Sequence, residues 1–447
     1  MPMVEVVFPR LLSPFAAQVG QLAQQFAAFE RAPPAQQAQL RDRQLSAMVM
    51  HAKRACPYWR ERLAPFAGQF NFADLPVLTR SDLQTHAAAL VAEPGTALPH
   101  TTHTVVAQTS GSTGTPVSVT KGLPLFNLLY QAQYLRLHAW HALDATQDLL
   151  VVKDLPEGVQ VGGWGQTLSE AGPTGRAWSK NLVAHDAEEI WEWVLTQPAP
   201  YLFTSPSMAL RLAEIARADS RRRRHLQAVV TFGEVVRAEH RAAVAAAFGA
   251  RLIDRYSSEE MGWLAFQCPR HDHYHALSGT AHLEIVDDDN RPVAAGETGR
   301  VLVTALHQYA MPIIRYDIGD HAVAGQPCDC GIHLPVIQEI LGRERSFIRL
   351  PNGTTRLARL TGEYWRSIAP VREYRLVQYA DGEIEAFVTT ERSLLATEIH
   401  ALENMLLSRL HPDLKVRITP VARIEWQARW KRLDVLRVDR LRGDALW

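Results

Sequence analysis

The sequence predicts an α/β protein in two parts. The first is a large N-terminal domain, residues 1–341, with mostly parallel sheets and a β-barrel-like part; the second is a small C-terminal α+β domain, residues 342–447. From 122 to 300, short β-rich runs alternate with helical patterns, which is typical of a parallel sheet. After residue 341, hairpin turns surround a single helical pattern, and roughly 100 residues is a normal size for a small domain.

The large domain begins with a helical region and continues with the alternating pattern. Helices are predicted over 11–64, with an interruption at Pro33-Pro34, and two strands over 101–120 flank a loop rich in Gly, Ser and Thr. The strands predicted next are 149–152, 201–204 and 228–232, and the helices are 207–218 and 237–248. Residues 281–304 predict an antiparallel pair around a turn at 287–290.

The small domain is predicted from its turns. Residues 346–360 predict a hairpin around Pro351-Asn352-Gly353, and 373–390 predict two strands joined by the strong turn Asp381-Gly382. A helix over 393–411 and a last strand over 414–425 follow.

Composition excludes several classes of protein. Lys+Arg and Asp+Glu are both 47, so the net charge of +0 argues against a polybasic nucleic-acid binder, and the run Arg221–Arg224 is read as a solvated helix end. No stretch approaches the ~18–20 apolar residues of a membrane span, and the N-terminus lacks the pattern of a signal peptide. Only four cysteines are present, which suits a reducing compartment. We therefore expect a cytoplasmic protein that binds neither nucleic acid nor a membrane.

The sharpest local feature is the string Thr109-Ser110-Gly111-Ser112-Thr113-Gly114-Thr115-Pro116, which follows an apolar strand. Glycines let the backbone turn tightly around a phosphate, and hydroxyl groups add donors. It is not a Walker loop, because no Gly-Lys-Ser/Thr closes it. An ordinary turn is the alternative on composition alone, but the order of the residues favours a phosphate loop.

This string resembles the phosphate-binding loop of the adenylate-forming superfamily, which includes acyl-CoA synthetases, amino-acid-adenylating domains and luciferases. Further matches resemble the phenylacetate–CoA ligase family within it. They are 56–60, 74–83, 205–207, 233–234, 256–260 and 312–320. The resemblance covers roughly residues 45–345, and the C-terminal part matches far less well.

The resemblance implies an ATP-dependent ligase. It would activate a small, aromatic carboxylic acid as acyl-AMP, release pyrophosphate and transfer the acyl group to CoA. The carboxylate of the acid and the triphosphate of ATP are both anions and must be brought together. The site therefore needs Mg²⁺ and hydrogen-bond donors that contact the phosphates. The implied phosphate ligands are Thr109, Ser110, Gly111, Ser112, Thr113 and Gly114. The lysine that often follows the loop in the superfamily is replaced here by Val117.

The resemblance also implies which residues hold the nucleoside and the metal ion. Tyr256 would stack on adenine, with Ser257 beside it in the nucleotide site, and Glu260 would bind Mg²⁺, with Glu259 as the competing carboxylate. A solvated pair of glutamates at a strand end is the alternative.

Three more residues are implied around the sugar. Asp320 would accept hydrogen bonds from the ribose hydroxyls, Arg343 would support ribose or phosphate, and Glu234 would border the adenosine pocket. Candidates for the acid pocket are Trp140, His141, Gly162, Gly163, Trp164 and Phe203. These could equally belong to the core.

A second metal site is predicted from clustered Cys and His, which in a cytosolic chain indicate zinc more often than a disulfide. The candidate ligands are Cys268, His275, Cys328 and Cys330. His271 and His273 compete for the histidine position, and the spacing in similar family members favours His275. The ion would be structural; buried, unligated cysteines are the alternative.

Catalysis in the superfamily also uses a C-terminal lysine, which enters the site for adenylation and leaves when the domain rotates. Lysine is scarce in this chain, and Lys431 is the best candidate because only Lys415 competes in the small domain. Trp430 stands where a glycine is usual, and a solvated Lys431 is the alternative.

Other functions stay open. The acceptor could be an amine or a carrier-protein thiol instead of CoA, the activated anion could lack a carboxylate, or the chain could be a non-catalytic nucleotide-binding module. The oligomeric state is also open, a homodimer included.

Overall fold

The computed structural model describes residues 12–66, 71–96, 103–108, 116–219, 222–343, 347–358, 360, 362–424, 434–438 and 441–442. The chain divides into two compact units, Met1–Ile340 and Leu341–Trp447.

The N-terminal region is helical and breaks at Pro33-Pro34, as predicted. Its helices are α1 (Pro14–Arg31), α2 (Pro34–Ala55), α3 (Pro57–Arg62), α4 (Arg80–Thr85) and α5 (Ala87–Leu90). Proline begins the first three of these helices, where its missing N–H costs no hydrogen bond. The Ser13 side chain caps α1 by accepting a hydrogen bond from the N–H of Ala16.

A parallel sheet forms the centre of the large unit. The elements leading to it are β1 (Thr104–Gln108), β2 (Ser118–Gly122) and α6 (Leu123–His141). The sheet region contains β3 (Leu149–Lys153), β4 (Gly158–Gln160), α7 (Gln166–Ala171), β5 (Ala177–Asn181), α8 (Ala187–Thr196), β6 (Tyr201–Thr204), α9 (Pro206–Ala218), β7 (Ala228–Thr231), α10 (Ala238–Phe248) and β8 (Arg251–Ile253). The predicted strands and helices of this region are confirmed, with bounds that differ by at most one residue.

The strand order of this sheet is β4-β5-β3-β6-β7-β8, and all neighbours except β4 and β5 run parallel. In chain order, β5 lies on one side of β3, whereas β6, β7 and β8 lie on the other. The direction of winding therefore reverses between β3 and β6. Leu150, Leu202 and Val229 are completely buried in the core that α8, α9 and α10 cover.

The predicted barrel-like part is an open sheet of seven strands, and no closed barrel forms among the described residues. Its strands are β9 (Arg255–Ser258), β10 (Gly262–Gln267), β11 (Tyr274–Ala276), β12 (Ala281–Val286), β13 (Thr298–Ala305), β14 (Tyr316–Ala324) and β15 (Val336–Arg343). Their order is β12-β13-β14-β15-β11-β10-β9, which leaves β12 and β9 at the two edges. The described pairings β9–β10, β10–β11, β11–β15, β12–β13 and β13–β14 are antiparallel. Completely buried side chains such as Leu264, Val303 and Ile313 pack it against the N-terminal helices.

The second unit is a four-stranded sheet with helices, as the turns predicted. Its elements are β16 (Phe347–Arg349), β17 (Thr355–Leu357), α11 (Gly362–Arg366), β18 (Val371–Gln378), β19 (Ile384–Thr390), α12 (Ala396–Arg409), β20 (Val416–Pro420) and β21 (Val435–Arg437). The strand order is β20-β19-β18-β21. Gly382 closes the β18–β19 hairpin at a φ of 87°, a conformation that glycine adopts without strain.

Among the helices that the structure describes, none is long and apolar enough to cross a membrane.

Candidate functional site

The candidate site lies at the carboxyl edge of the parallel sheet. In open α/β sheets, ligands bind outside the carboxyl ends of the strands, where the winding reverses. Here that point lies between β3, which ends at Lys153, and β6, which ends at Thr204. Phe232 follows β7 directly, and Arg255 comes two residues after β8, so both lie at the same edge.

Glu234 fixes the corner between β7 and α9. Its carboxylate accepts hydrogen bonds from the Ser207 N–H at 2.9 Å and the Ser207 Oγ at 3.0 Å. Ser205 caps the same helix by accepting a hydrogen bond from the Met208 N–H at 3.3 Å. A helix N-terminus carries a partial positive charge, so the Glu234 carboxylate is stabilised there. This contact explains how the strings 205–207 and 233–234 come together.

Tyr256 and Asp320 form a direct pair. The Tyr256 hydroxyl on β9 donates a 2.6 Å hydrogen bond to Oδ2 of Asp320 on β14, and 8% of Asp320 is exposed. The structure thus joins the residues that the sequence assigned to adenine and to ribose. Ser257 lies next to them on β9 and is exposed, and Arg343 is the last residue of β15.

Glu260 is buried in the turn between β9 and β10, with only 2% of its surface exposed. Its carboxylate has no hydrogen bond or ion pair with any residue that the structure describes. A buried carboxylate without a partner is costly, and carboxylates are ligands that Mg²⁺ accepts. The position therefore fits a metal ligand. Glu259, the competing carboxylate, is exposed.

Lys121 is a neighbour of this turn that the motif assignments missed. It is 5% exposed, and its Nζ lies 4.0 Å from Oε1 of Glu259 and 4.4 Å from the centre of the Phe126 ring. Burial lowers the pKa of Lys121, whereas the charges of Glu259 and Glu260 act in the opposite direction. The scarcity of lysine was the only signal in the sequence that could have found it.

Two of the aromatic candidates for the acid pocket, the buried Trp164 and the partly buried Trp140, pack in the hydrophobic core. Trp140 donates a hydrogen bond to Glu30, and Trp164 donates one to the carbonyl of Gln147. A Cβ on Gly163 would lie 2.2 Å from the Ala177 backbone nitrogen, so this glycine permits close packing of two backbones.

Phe203 is the exception among those candidates. It is partly buried near the carboxyl end of β6, and its ring centre lies 4.6 Å from that of Phe232. Of the predicted acid-pocket aromatics, it is the one placed at the edge where the sheet winding reverses.

The predicted phosphate-loop residues and the predicted catalytic lysine lie outside the described residues. They are Thr109, Ser110, Gly111, Ser112, Thr113, Gly114 and Lys431. The strands that flank the loop are described, and they pair in antiparallel fashion from Thr104 with Gly122 to Gln108 with Ser118. The two flanking strands of the prediction are therefore confirmed.

The four predicted zinc ligands form one cluster in the large unit. The ligand atoms of Cys268, His275, Cys328 and Cys330 all lie within 4.8 Å of one another. Sγ of Cys268 is 3.8 Å from Sγ of Cys328, far longer than a disulfide bond, and Sγ of Cys330 is 3.2 Å from Nε2 of His275. All four cysteines of the chain are free thiols.

The environment of this cluster suits a cation. Nδ1 of His275 lies 3.3 Å from the carbonyl of Leu334 and donates to it, which leaves Nε2 to face the thiols. Burial raises the pKa of Cys330 to about 12 and lowers that of His275 to about 4. Ionised thiols in this place therefore need a positive charge beside them. His271 instead pairs with Asp329 at 2.7 Å.

No family model matches the chain, and no curated protein matches its sequence. Solved structures do match its fold. One is 2-hydroxyisobutyryl-CoA ligase in the postadenylation state in complex with 2-HIB-AMP, with a TM-score of 0.70 and 19% identity over 92% of this chain and 91% of that chain.

Two other similar structures are more distant. The anthranilate CoA ligase AuaEII in complex with anthranoyl-AMP has a TM-score of 0.52 and 14% identity, covering 73% of this chain and 65% of that chain. ATP-bound MatB from Rhodopseudomonas palustris has a TM-score of 0.50 and 17% identity, covering 75% and 66%. The chain thus has the fold of the adenylate-forming CoA ligases, as the sequence predicted. These structures do not single out the phenylacetate–CoA ligases within that group.

Proposed function

We propose that this protein is an ATP-dependent ligase that activates a carboxylic acid as acyl-AMP and transfers the acyl group to CoA. The Tyr256–Asp320 hydrogen bond carries the proposal, because it joins two distant nucleotide motifs within the fold of the CoA ligases. Several of those ligases were solved with an acyl-AMP, and one of them with CoA as well.

The residues of the candidate site would have the following roles. Asp320 binds the ribose, Tyr256 packs on the adenine and orients Asp320, and Glu260 holds Mg²⁺, which would neutralise charge on the phosphates. The loop 109–114 binds the outer phosphates. An oxygen of the acid then forms a bond to the α-phosphorus as the bond to the bridging oxygen breaks, and pyrophosphate leaves with that electron pair.

Pyrophosphate release from ATP and Mg²⁺, measured over a panel of acids with and without CoA, tests the proposal. We expect one class of acids to drive release and CoA to accelerate turnover. Asp320→Ala should weaken ATP use, since hydrogen bonds to a charged acceptor are worth about 1.5–3 kcal/mol each. Glu260→Gln should lower adenylation and raise the Mg²⁺ requirement.

The same assay separates the competing functions. Release that CoA does not accelerate would favour another acceptor, such as an amine or a carrier-protein thiol. ATP binding without release for any acid would favour a non-catalytic nucleotide-binding module. Wild-type rates in both variants would contradict the assigned roles.

Zinc is the second part of this proposal. Cys268, His275, Cys328 and Cys330 would hold one structural ion, because three thiols and an imidazole nitrogen within 4.8 Å match a closed zinc site. The sparse, free thiols also support a reducing compartment, which is why we propose the cytoplasm. The second unit, Leu341–Trp447, would be the mobile domain that carries Lys431.

A further inference from the structure

We propose that the acid activated by this protein carries a second carboxylate and that Arg255 binds it. This inference rests on the proposed function, because it names the substrate class of the same site.

Arg255 lies beside the nucleotide residues but faces away from them. It is the first residue of β9 and directly precedes Tyr256, which bonds to Asp320. Successive side chains of a strand point to opposite faces of the sheet. Arg255 instead lies against Phe203, at the carboxyl end of β6 where ligands of such sheets bind. If an acid binds there, the end of the molecule opposite its activated carboxylate would lie near Arg255.

Aromatic rings surround the Arg255 guanidinium without supplying an acceptor. Its Cζ lies 4.4 Å from the centre of the Phe203 ring and 4.8 Å from that of Trp263. Cation–π contacts stabilise the charge but do not supply acceptors for the N–H donors of the group. Nε is buried and has no hydrogen-bond partner, and no carboxylate of the described residues lies within ion-pair distance.

The carboxylates of Asp254 and Glu234 form hydrogen bonds with other residues. Asp254 accepts hydrogen bonds from Thr231 at 2.8 Å and from Tyr274 at 2.7 Å. Glu234 accepts hydrogen bonds from the N–H and the Oγ of Ser207. Burial lowers the pKa of Arg255, whereas Tyr130, Tyr134 and Asp254 act in the opposite direction.

Two other arginines of the large unit, the buried Arg315 and the half-buried Arg251, show what is missing at Arg255. Arg315 pairs with Glu284 and donates to backbone carbonyls, and Arg251 donates to the carbonyls of Cys268 and His271. A buried charge without an acceptor destabilises a protein, so such a group is explained when a ligand provides the acceptor. A planar guanidinium suits a carboxylate because it can donate two parallel hydrogen bonds.

A second cation lies at the same edge. Lys153 ends β3, and its Nζ lies 5.2 Å from the centre of the Phe232 ring, which itself stacks on Phe203. Its ammonium forms no ion pair with a described residue. Two positive charges against one aromatic pair favour an anionic ligand over an apolar one.

Matched pairs of acids test this inference. We would measure ATP–pyrophosphate exchange with butyrate against succinate and with benzoate against isophthalate, since each pair differs by one carboxylate. The wild-type protein should use at least one diacid about 10²-fold better, in kcat/KM, than its partner. Arg255→Met should lower kcat/KM for the diacid by about 10²-fold or more, because the diacid loses an ionic contact. The kcat/KM for the monoacid should stay within about threefold of the wild-type value.

Two further variants make the result decisive. Arg255→Lys keeps the charge without the paired donors and should retain part of the diacid preference. Arg176→Met removes an exposed arginine that also lies over a ring, that of Trp178, and should change nothing. The inference would be overturned if the wild-type protein had equal kcat/KM values for both members of each pair, or if Arg255→Met lowered both values equally. Either result would leave the ligase proposal standing. No exchange with any acid would overturn the ligase proposal itself.

Discussion

Arg315 shows how one side chain can hold several segments together. It is 1% exposed and has a φ of 47°, and its guanidinium donates hydrogen bonds to Glu284 and to the carbonyls of Ala73, Leu75 and Asn290. The string 312–320 that contains it resembles a nucleotide motif. In this structure, Arg315 serves the packing of the motif, whereas Asp320 faces the candidate site.

We expect Arg315→Met to destabilise the protein by about 3–5 kcal/mol, because Glu284 would remain buried without a partner. Burial already raises the pKa of Glu284 above its ordinary value. Urea unfolding at pH 7 measures the change. The double variant Arg315→Met/Glu284→Gln should recover part of the loss, and a double variant as unstable as the single one would contradict the ion-pair explanation.

At the scale of an element, α10 depends on an uncharged histidine. Nδ1 of His240 accepts a hydrogen bond from the N–H of Arg237 at the start of the helix, at 3.0 Å. Burial, followed by the charge of Arg237, lowers the pKa of His240 to about 3. Protonation would remove the acceptor, so the first turn of α10 requires the neutral ring.

This histidine should make stability depend on pH. The pKa is about 3 in the folded state and about 6.5 in the unfolded state, so the contribution is fully present above pH 6.5 and is lost as the pH falls towards 3. We expect the wild-type protein to lose about 2 kcal/mol more stability than His240→Gln between pH 7 and pH 5. Glutamine can make the same capping bond without titrating.

Urea unfolding of both proteins at pH 7, 6 and 5 gives this difference. Other buried histidines titrate equally in both proteins, so the comparison cancels them. Parallel stability curves would show that His240 is already protonated or exposed in the folded protein.

We expect the segments that follow β10 and β14 to be linked by the proposed zinc ion. Cys268 is the first residue after β10, Cys328 and Cys330 follow β14, and Sγ of Cys268 lies 3.8 Å from Sγ of Cys328. We expect about one zinc ion per chain in protein purified without chelator. Cys330→Ser should lose the ion and lower the melting temperature by roughly 5 °C or more, because metal-binding energy is part of folding energy.

Cys56→Ala provides the matched control for this prediction. Cys56 is also a buried free thiol, but it lies between α2 and α3, outside the cluster. This variant should retain the zinc ion. Metal analysis that finds no zinc in the wild-type protein, together with four freely titrating thiols, would refute the site.

At the scale of the whole molecule, the division into two units matters for the order of the two reactions. The proposed mechanism uses Lys431 from the second unit for adenylation only. We expect Lys431→Ala to slow adenylation by about 10²–10³-fold and to spare transfer from a preformed acyl-adenylate, as measured in separate half-reactions. Lys415→Ala is the control, since Lys415 is exposed just before β20.

The pattern of loss distinguishes the explanations. An equal decrease in both half-reactions would indicate general destabilisation. Unchanged rates in both half-reactions would indicate that Arg429 or Arg432 supplies the positive charge instead of Lys431. They would also be explained if the second unit does not close in the manner of the superfamily.

Local patterns predicted much of the architecture. Rules that act over a few residues predict three of its features. They are the interruption of the helices at Pro33-Pro34, the alternation that gives β3, β6 and β7, and the turn at Asp381-Gly382. Strands β14 and β15 were not predicted, and the part predicted as barrel-like is an open sheet without a closed barrel among the described residues. Strand pairing and sheet closure depend on partners far away in the chain, which local periodicity does not report.

The sequence by itself determined the candidate nucleotide residues, the zinc-ligand set and the α/β class, because motif order and residue type carry that information. Only the tertiary structure decided which side chains have partners. It joined Tyr256 to Asp320, left Glu260 buried without a hydrogen bond to any described residue and brought Lys121 to the same turn. Among the described residues, it also left Nε of Arg255 without an acceptor between aromatic rings. The physical reason is that desolvation and charge compensation depend on the distances between atoms in the folded chain, which sequence spacing does not fix.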